Sequence, residues 1–317
     1  MKKKILLTIF IANSLSYGNE VDNKTFLDDF IENTKNIRET IHSSIINTSI
    51  NIDNFFFEDT VDNLDYHNAY GLIELSASQN QHEDIVLDQR VKVKLKLPRL
   101  KEAIHIEIET DEQRDTIDNV ENKTSESKKD DVNLALGYYK ALKNNLNLKT
   151  KVGIKIKSKL DPFIKIEAKK IFDNVNTNYI YTLNQTFKYS NLKDLESTSY
   201  FKIDRAINES FSVHNFNQHY WQSQKENNSE IYHSIYLDQK LTNKNYLRYT
   251  ANTNINNIDS DMKIKRYALK LKYRHYIKKW LYIDTIPENY YSREEDFKPR
   301  YAIRFNLGMY FNKDSYN

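Results

Sequence analysis

Two histidines lie in one polar and aromatic stretch, Ser212-Val213-His214-Asn215-Phe216-Asn217-Gln218-His219-Tyr220-Trp221. Paired histidines can ligate zinc, and a single histidine can serve as general base for a serine. The five-residue step from His214 to His219 suits neither task. A helical zinc pair needs positions i and i+4, and one strand face needs an even step. A His-x-Ser-Asn-Gly nucleophile segment is also missing, because Asn215 and Phe216 follow His214. The two histidines read as structural or interfacial residues.

Glu107 and Glu109 alternate with His105 and could in principle form an acid–base pair. Neighbouring lysine rows make a salt bridge the simpler assignment. The segment 110–131 holds eight acids (Asp111, Glu112, Asp115, Asp118, Glu121, Glu126, Asp130 and Asp131), but their spacing matches no Ca²⁺ loop. It has almost no apolar residue and reads as a solvated loop. The scattered glycines exclude a phosphate loop, and the absence of cysteine excludes a disulfide framework and a thiolate metal site. The expectation is a protein that is not an enzyme and that holds no metal or cofactor.

The more informative chemistry is in the basic rows. Lys92, Lys94 and Lys96 alternate with apolar residues, as do Lys149, Lys151 and Lys155, then Lys165 and Lys169, and then Lys270, Lys272 and Arg274. Arg304 occupies the same kind of position near the end of the chain, and Glu107, Glu109 and Glu167 are the acidic counterparts. Side chains two residues apart share one face of a strand. Gathered on the inside of a barrel, such a set would line a lumen that favours small anionic solutes. Charges paired across strands could equally fill that lumen, and both readings stand at this point.

Such rows need strands to carry them. From residue 66 onward the chain alternates apolar and polar residues. The clearest run is 299–312, where Tyr301, Ile303, Phe305, Leu307, Met309 and Phe311 share one face. Further strands are expected at 70–78, 90–98, 103–110, 132–142, 145–157, 163–172, 178–189, 196–204, 209–217, 230–240, 245–255, 263–276 and 280–287. The total is about fourteen, with twelve as the alternative, and transmembrane barrels of this class carry even numbers. Long connections are expected to alternate with short ones, as in outer-membrane barrels. The fold class is therefore all-β: an antiparallel transmembrane β-barrel behind a short helical segment. The mean hydropathy of −0.76 is no objection, since half of every barrel strand is polar. The 23 tyrosines suit interfacial girdles.

Lys2, Lys3 and Lys4 precede a short apolar core and small residues, the pattern of a signal peptide, assigned to 1–18. Its removal takes the formal charge from +3 to neutrality, which leaves nucleic-acid binding unsupported. Residues 19–64 form a periplasmic helical segment, with the helix from 23 to about 47. Its stripe includes Phe30, Ile37 and Ile41, and Phe55, Phe56 and Phe57 follow. These residues are candidates for a plug, a partner-docking face or a coiled coil. The barrel spans 65–312, and 313–317 is a tail.

The Ile52-Asp53-Asn54-Phe55-Phe56 segment, with the later Lys96-Leu97-Pro98-Arg99-Leu100, resembles a family of uncharacterised proteobacterial outer-membrane β-barrel proteins. The resemblance covers roughly 24–110 by motif and implies location and fold rather than activity. The expected setting is the bacterial outer membrane of a Gram-negative cell, with the lipid bilayer and the barrel-assembly machinery as partners. The expected function is a passive, porin-like pore with a basic lumen, or a structural barrel plugged by its own helix. The alternative is a membrane-anchored interaction protein that uses the helix or the loop 110–131.

Overall fold

The computed structural model describes residues 23–56, 70–97, 104–110, 132–156, 159–174, 178–224, 229–258 and 261–311. The signal-peptide assignment, Phe57, most of the acidic loop and the tail lie outside the described residues, as do the side chains of Phe55, Phe56 and Lys96.

Among the described residues one α-helix, α1 (Asn23–Phe56), precedes fourteen strands. These are β1 (Tyr70–Asn80), β2 (Val86–Lys96), β3 (Ile104–Thr110), β4 (Val132–Ala141), β5 (Leu146–Ile156), β6 (Leu160–Asn174) and β7 (Tyr179–Ser190). They continue as β8 (Asp194–Ala206), β9 (Phe211–Gln222), β10 (Ser229–Lys240), β11 (Asn245–Ile258), β12 (Asp261–Lys278), β13 (Leu281–Ser292) and β14 (Pro299–Tyr310). Each strand pairs antiparallel with its sequence neighbour, and β14 pairs with β1 to close the barrel. Closure leaves no edge strand, which is how a sheet satisfies every backbone group away from water. One lapse in the ladder has a local cause. The β12–β13 pairing is interrupted beside Pro287, which has no N–H to donate.

Alternation divides the residues of every strand between two faces. Leu72, Tyr282 and Tyr310 meet in one buried cluster, which fixes the inward side of β1, β13 and β14. Register carries that assignment around the barrel. The other face is apolar and exposed: Leu136 is 51% exposed, Val152 57%, Leu269 62% and Tyr301 58%. A sheet that shows bulky aliphatic and aromatic side chains outward and charges inward is built for lipid outside and water inside.

Connection lengths depart from expectation. At the end of the barrel where β1 starts, the connections are 97–103, 142–145, 175–178, 207–210, 241–244 and 279–280. At the opposite end they are 81–85, 111–131, 157–159, 191–193, 223–228, 259–260 and 293–298. The long connection expected at 256–262 contracts to two residues, because β11 and β12 remain paired from Asn256↔Lys263 out to Ile258↔Asp261. The contrast between the two ends therefore rests on 111–131.

The chain divides into two compact units, 1–41 and 42–317. In the first, α1 carries Phe30 and Ile41 half-buried, while Ile37 is 53% exposed. Thr34 is the buried residue, its hydroxyl donating to the Phe30 carbonyl at 2.6 Å. Of the expected stripe, Ile37 is thus left open to solvent. At 100° per residue, Ile37 stands roughly a quarter turn from the Ile45–Ser49 side. In the second unit α1 continues past the expected stop near 47 and takes in residues 52–56. Ile45 is buried there, and Ser49, fully buried, donates its hydroxyl to the Ile45 carbonyl at 3.0 Å. A Cβ placed on Gly71 would lie 3.0 Å from Ile45 Cδ1 and 2.8 Å from Phe311 Cδ2. Gly71 neighbours inward-facing Leu72, so this contact is on the outer wall.

Candidate functional site: the charged lumen

Three charged ladders face the interior. The first spans β2 to β5. Lys92 and Lys94 lie opposite Glu109 and Glu107 in register, and Lys96 lies opposite His105. Glu109 pairs with Lys92 and with Arg90, each at 3.6 Å. Glu107 pairs with Lys149, at 2.6 Å, and with Lys151, both on β5. His105 Nε2 adds a contact to Glu107 at 2.9 Å. The expected ion pairing within the β2–β3 hairpin holds for Glu109, and Glu107 also reaches past β4. The reason is the inward face of β4, where Ala135 stands opposite Glu107 and Gly137 opposite His105. A Cβ on Gly137 would meet the His105 ring, so glycine leaves the room that the imidazole occupies.

The second ladder joins β12 and β13. Arg274 forms a bidentate pair with Asp284, Nε to Oδ1 at 2.6 Å and Nη2 to Oδ2 at 2.8 Å. Asp284 is fully buried and also meets Lys272 at 3.4 Å. The Arg274 guanidinium lies over the Tyr282 ring at 3.8 Å, and the Tyr282 hydroxyl donates to Glu74 at 2.7 Å. Glu288 pairs with Arg266 at 2.5 Å and with Lys270 at 4.0 Å.

The third ladder joins β8 to β11. Asp204 contacts His214 and also Lys202, the latter at 2.8 Å, while Asp238 forms a bidentate pair with Arg248 at 2.6 and 2.9 Å. His214 stacks on Tyr236 with ring centroids 4.4 Å apart. Ser212 Oγ lies 2.8 Å from His214 Nε2, a spacing that in a hydrolase would suggest a nucleophile and its base. The surroundings argue against that role. Asp204 faces Nδ1, and Asp238 faces Nε2 at 3.3 Å, so a carboxylate meets each ring nitrogen. Nε2 is thus shared between the Ser212 hydroxyl and the Asp238 carboxylate, an arrangement that ties the imidazole to two acids rather than to Ser212 alone. His214 is a rung in a charge ladder. His219 faces outward, on the opposite side of β9.

The remaining candidates are placed as follows. Lys155 lies opposite Asp161 and Asn133, Lys165 opposite Lys188 and Lys151, and Lys169 opposite Asn184 and Asn147. Glu167 accepts from Asn184 at 2.9 Å. Arg304 is buried, between Ile286 and Ser78 in register. The third ladder was absent from the sequence-based set, although Lys202, Asp204, His214, Asp238 and Arg248 all occupy even-numbered positions that share the inward face. Beside it a cavity of about 670 Å³ opens near the 207–210 and 241–244 turns, lined by Ser212, Lys240, Arg248, Lys272 and Arg274 among others. Among the described residues no cluster of metal-ligating side chains is present.

No family model and no curated protein matches the chain. Solved structures similar to it are outer-membrane channels. A bacterial polysaccharide outer membrane secretin shares 10% identity at a TM-score of 0.46, over 77% of this chain and 99% of that one. The outer membrane channel DcaP of Acinetobacter baumannii shares 8% at 0.44, over 77% and 96%. The KdgM porin shares 8% at 0.36, over 75% and 98%. Likenesses this distant carry no argument about activity. The assignment to the outer-membrane class of barrels rests on the closed ladder and its two faces.

Proposed function

We propose that the chain is an outer-membrane β-barrel that passes small anionic solutes passively. The observation that carries this reading is the clustering of basic side chains around buried carboxylates in two ladders. Glu107, Glu109, Asp284 and Glu288 are all buried, and each is shared by two basic side chains. Each carboxylate holds its cations in place on the inward face, and Lys155, Lys165 and Lys169 add further basic positions to the same face. Fixed cations along a water-filled path lower the barrier for anions and raise it for cations.

The turns at 142–145, 207–210 and 241–244 are assigned to the periplasmic side, with α1, and the 111–131 connection to the outside. The final strand is assigned as the signal that the barrel-assembly machinery reads. The finer family resemblance at residues 52–56 and 96–100 belongs to the same reading. Closure of the lumen by α1 is the second reading. The outward contact of Ile45 with Gly71 favours the open one, and the exposed Ile37 leaves a face of α1 for a partner.

Planar-bilayer recording under a salt gradient tests the proposal. Reversal potentials of anion-selective sign, shifted toward zero by Lys149→Gln with Lys151→Gln, support it. Absence of conductance from folded barrel rejects the pore, and cation selectivity rejects the basic filter.

A further inference from the structure

The outer wall is apolar almost throughout, but one part of it is not. On β7, β8, β9 and β10 the outward positions at mid-strand are Gln185, Ser199, Asn217 and His233, with Asn215 and His219 beside them. Their inward neighbours confirm the facing: Asn184 reaches Glu167, and Phe216 packs with Tyr232 and Tyr236 in a lumen cluster. The patch is continuous. Ser199 Oγ donates to Gln185 Oε1 at 2.5 Å, Asn217 Nδ2 donates to Asn215 Oδ1 at 2.6 Å, and His233 Nδ1 lies 2.6 Å from Asn217 Oδ1. A groove of about 520 Å³ crosses it, with Ala168 and Ser199 in its lining between the larger Leu183, Phe201 and Ile231. At the corresponding level of β4 and β5 the outward residues are Leu134, Leu136, Val152 and Ile154.

Carboxamides and imidazoles at mid-wall are costly against hydrocarbon, because lipid tails return no hydrogen bond. Lateral pairing meets only part of the demand, since each carboxamide carries two N–H groups and two lone pairs. A lipid acyl chain would fill the groove but leave its polar floor unpaired. The charged side chain in the groove lining, Lys170, is already held by the Asn144 carbonyl, which leaves a charged partner little to meet. A second copy of the same patch offers donors and acceptors in equal measure, and a two-fold axis through β8 and β9 would pair the patch with itself, with Lys170 toward its edge on β6.

We propose that this patch is the intramembrane interface of a homodimer. The proposal rests on the barrel being embedded in the outer membrane. Because the chain has no cysteine, single-cysteine variants report without background. Ser199→Cys and Asn217→Cys, oxidised in isolated outer membranes, should give a band of twice the monomer mass on non-reducing gels. Leu136→Cys on the β4 wall should remain monomeric. Adding His219→Leu and His233→Leu to Ser199→Cys should reduce the doubled band at least several-fold while the barrel keeps heat-modifiable migration. A folded barrel in the outer membrane that gives no doubled band overturns the dimer, as does equal cross-linking at Leu136→Cys or a band containing a different protein. Recovery of the protein outside the membrane overturns the embedding itself.

Discussion

Glu107 on β3 is bonded to Lys149 on β5, with β4 between them. The bond depends on two small residues, Ala135 and Gly137, which hold the inward surface of β4 low enough for charged side chains to meet above it. The sequence motif that matters is therefore a gap in a row of side chains as much as the lysines themselves.

Gly137→Val should displace the His105 ring and spread the Glu107 cluster. Overpacking of this kind costs about 1–3 kcal/mol. Unfolding of the purified barrel in detergent micelles by guanidinium should show a lower midpoint, and His105→Ala in the same chain should restore part of it.

Asp284 is fully buried beneath Arg274 and Lys272. Asp284→Ala leaves two cations facing each other and should destabilise by about 3–5 kcal/mol. Replacing the pair together, Asp284→Leu with Arg274→Met, should cost markedly less. A double-mutant cycle on the unfolding free energies measures the difference, and equal costs for the single and double variants would contradict the account.

The anion preference should weaken with ionic strength, since solvated fixed charges are screened within a Debye length of about 10 Å at 0.1 M salt. Reversal potentials measured at the same salt ratio but at tenfold higher concentrations should move toward zero. A preference insensitive to concentration would point to a steric filter.

Ser212 and His214 have the spacing of a hydrolytic pair but not its electrostatics. Ser212→Ala should leave ester hydrolysis at the level of an unrelated barrel and stability nearly unchanged. His214→Ala removes the rung between Asp204 and Asp238 and should lower the unfolding midpoint. Hydrolysis lost with Ser212→Ala would assign these residues a catalytic role.

Ile45→Asp should loosen α1 from the outer wall at Gly71 and Phe311. Protease cleavage within α1 should accelerate at least several-fold while single-channel conductance is unchanged. A conductance change would place α1 in the path of ions.

The barrel was legible because a strand with lipid on one side and water on the other cannot hide its two-residue period. All fourteen strands follow from it, even at 194–222, where Ser197, Ser199, Asn215 and Asn217 put polar residues on both faces and blur the alternation. That blurring is the polar patch itself, visible only once Phe216 and Tyr232 fix which side is inward. That each basic row shares one strand face was legible for the same periodic reason. The partners of Glu107 were not, because reaching across β4 depends on what Gly137 lacks. Hydrophobicity alone does not say which of Thr34 and Ile37 is covered, and the structure covers Thr34.

The β1–β14 seam bears on how the molecule comes to exist. Leu72 pairs with Tyr310, so the last ladder to form joins segments separated by nearly the whole barrel sequence. Closure entropy must be met in full before that ladder contributes, which makes assembly slow and of high contact order. Until it forms, β1 and the latest strand both present open edges that can template the wrong partner. A chain lacking β14 cannot form this seam, and joining the two seam strands while cutting at the two-residue 279–280 turn would move the vulnerable step without removing it.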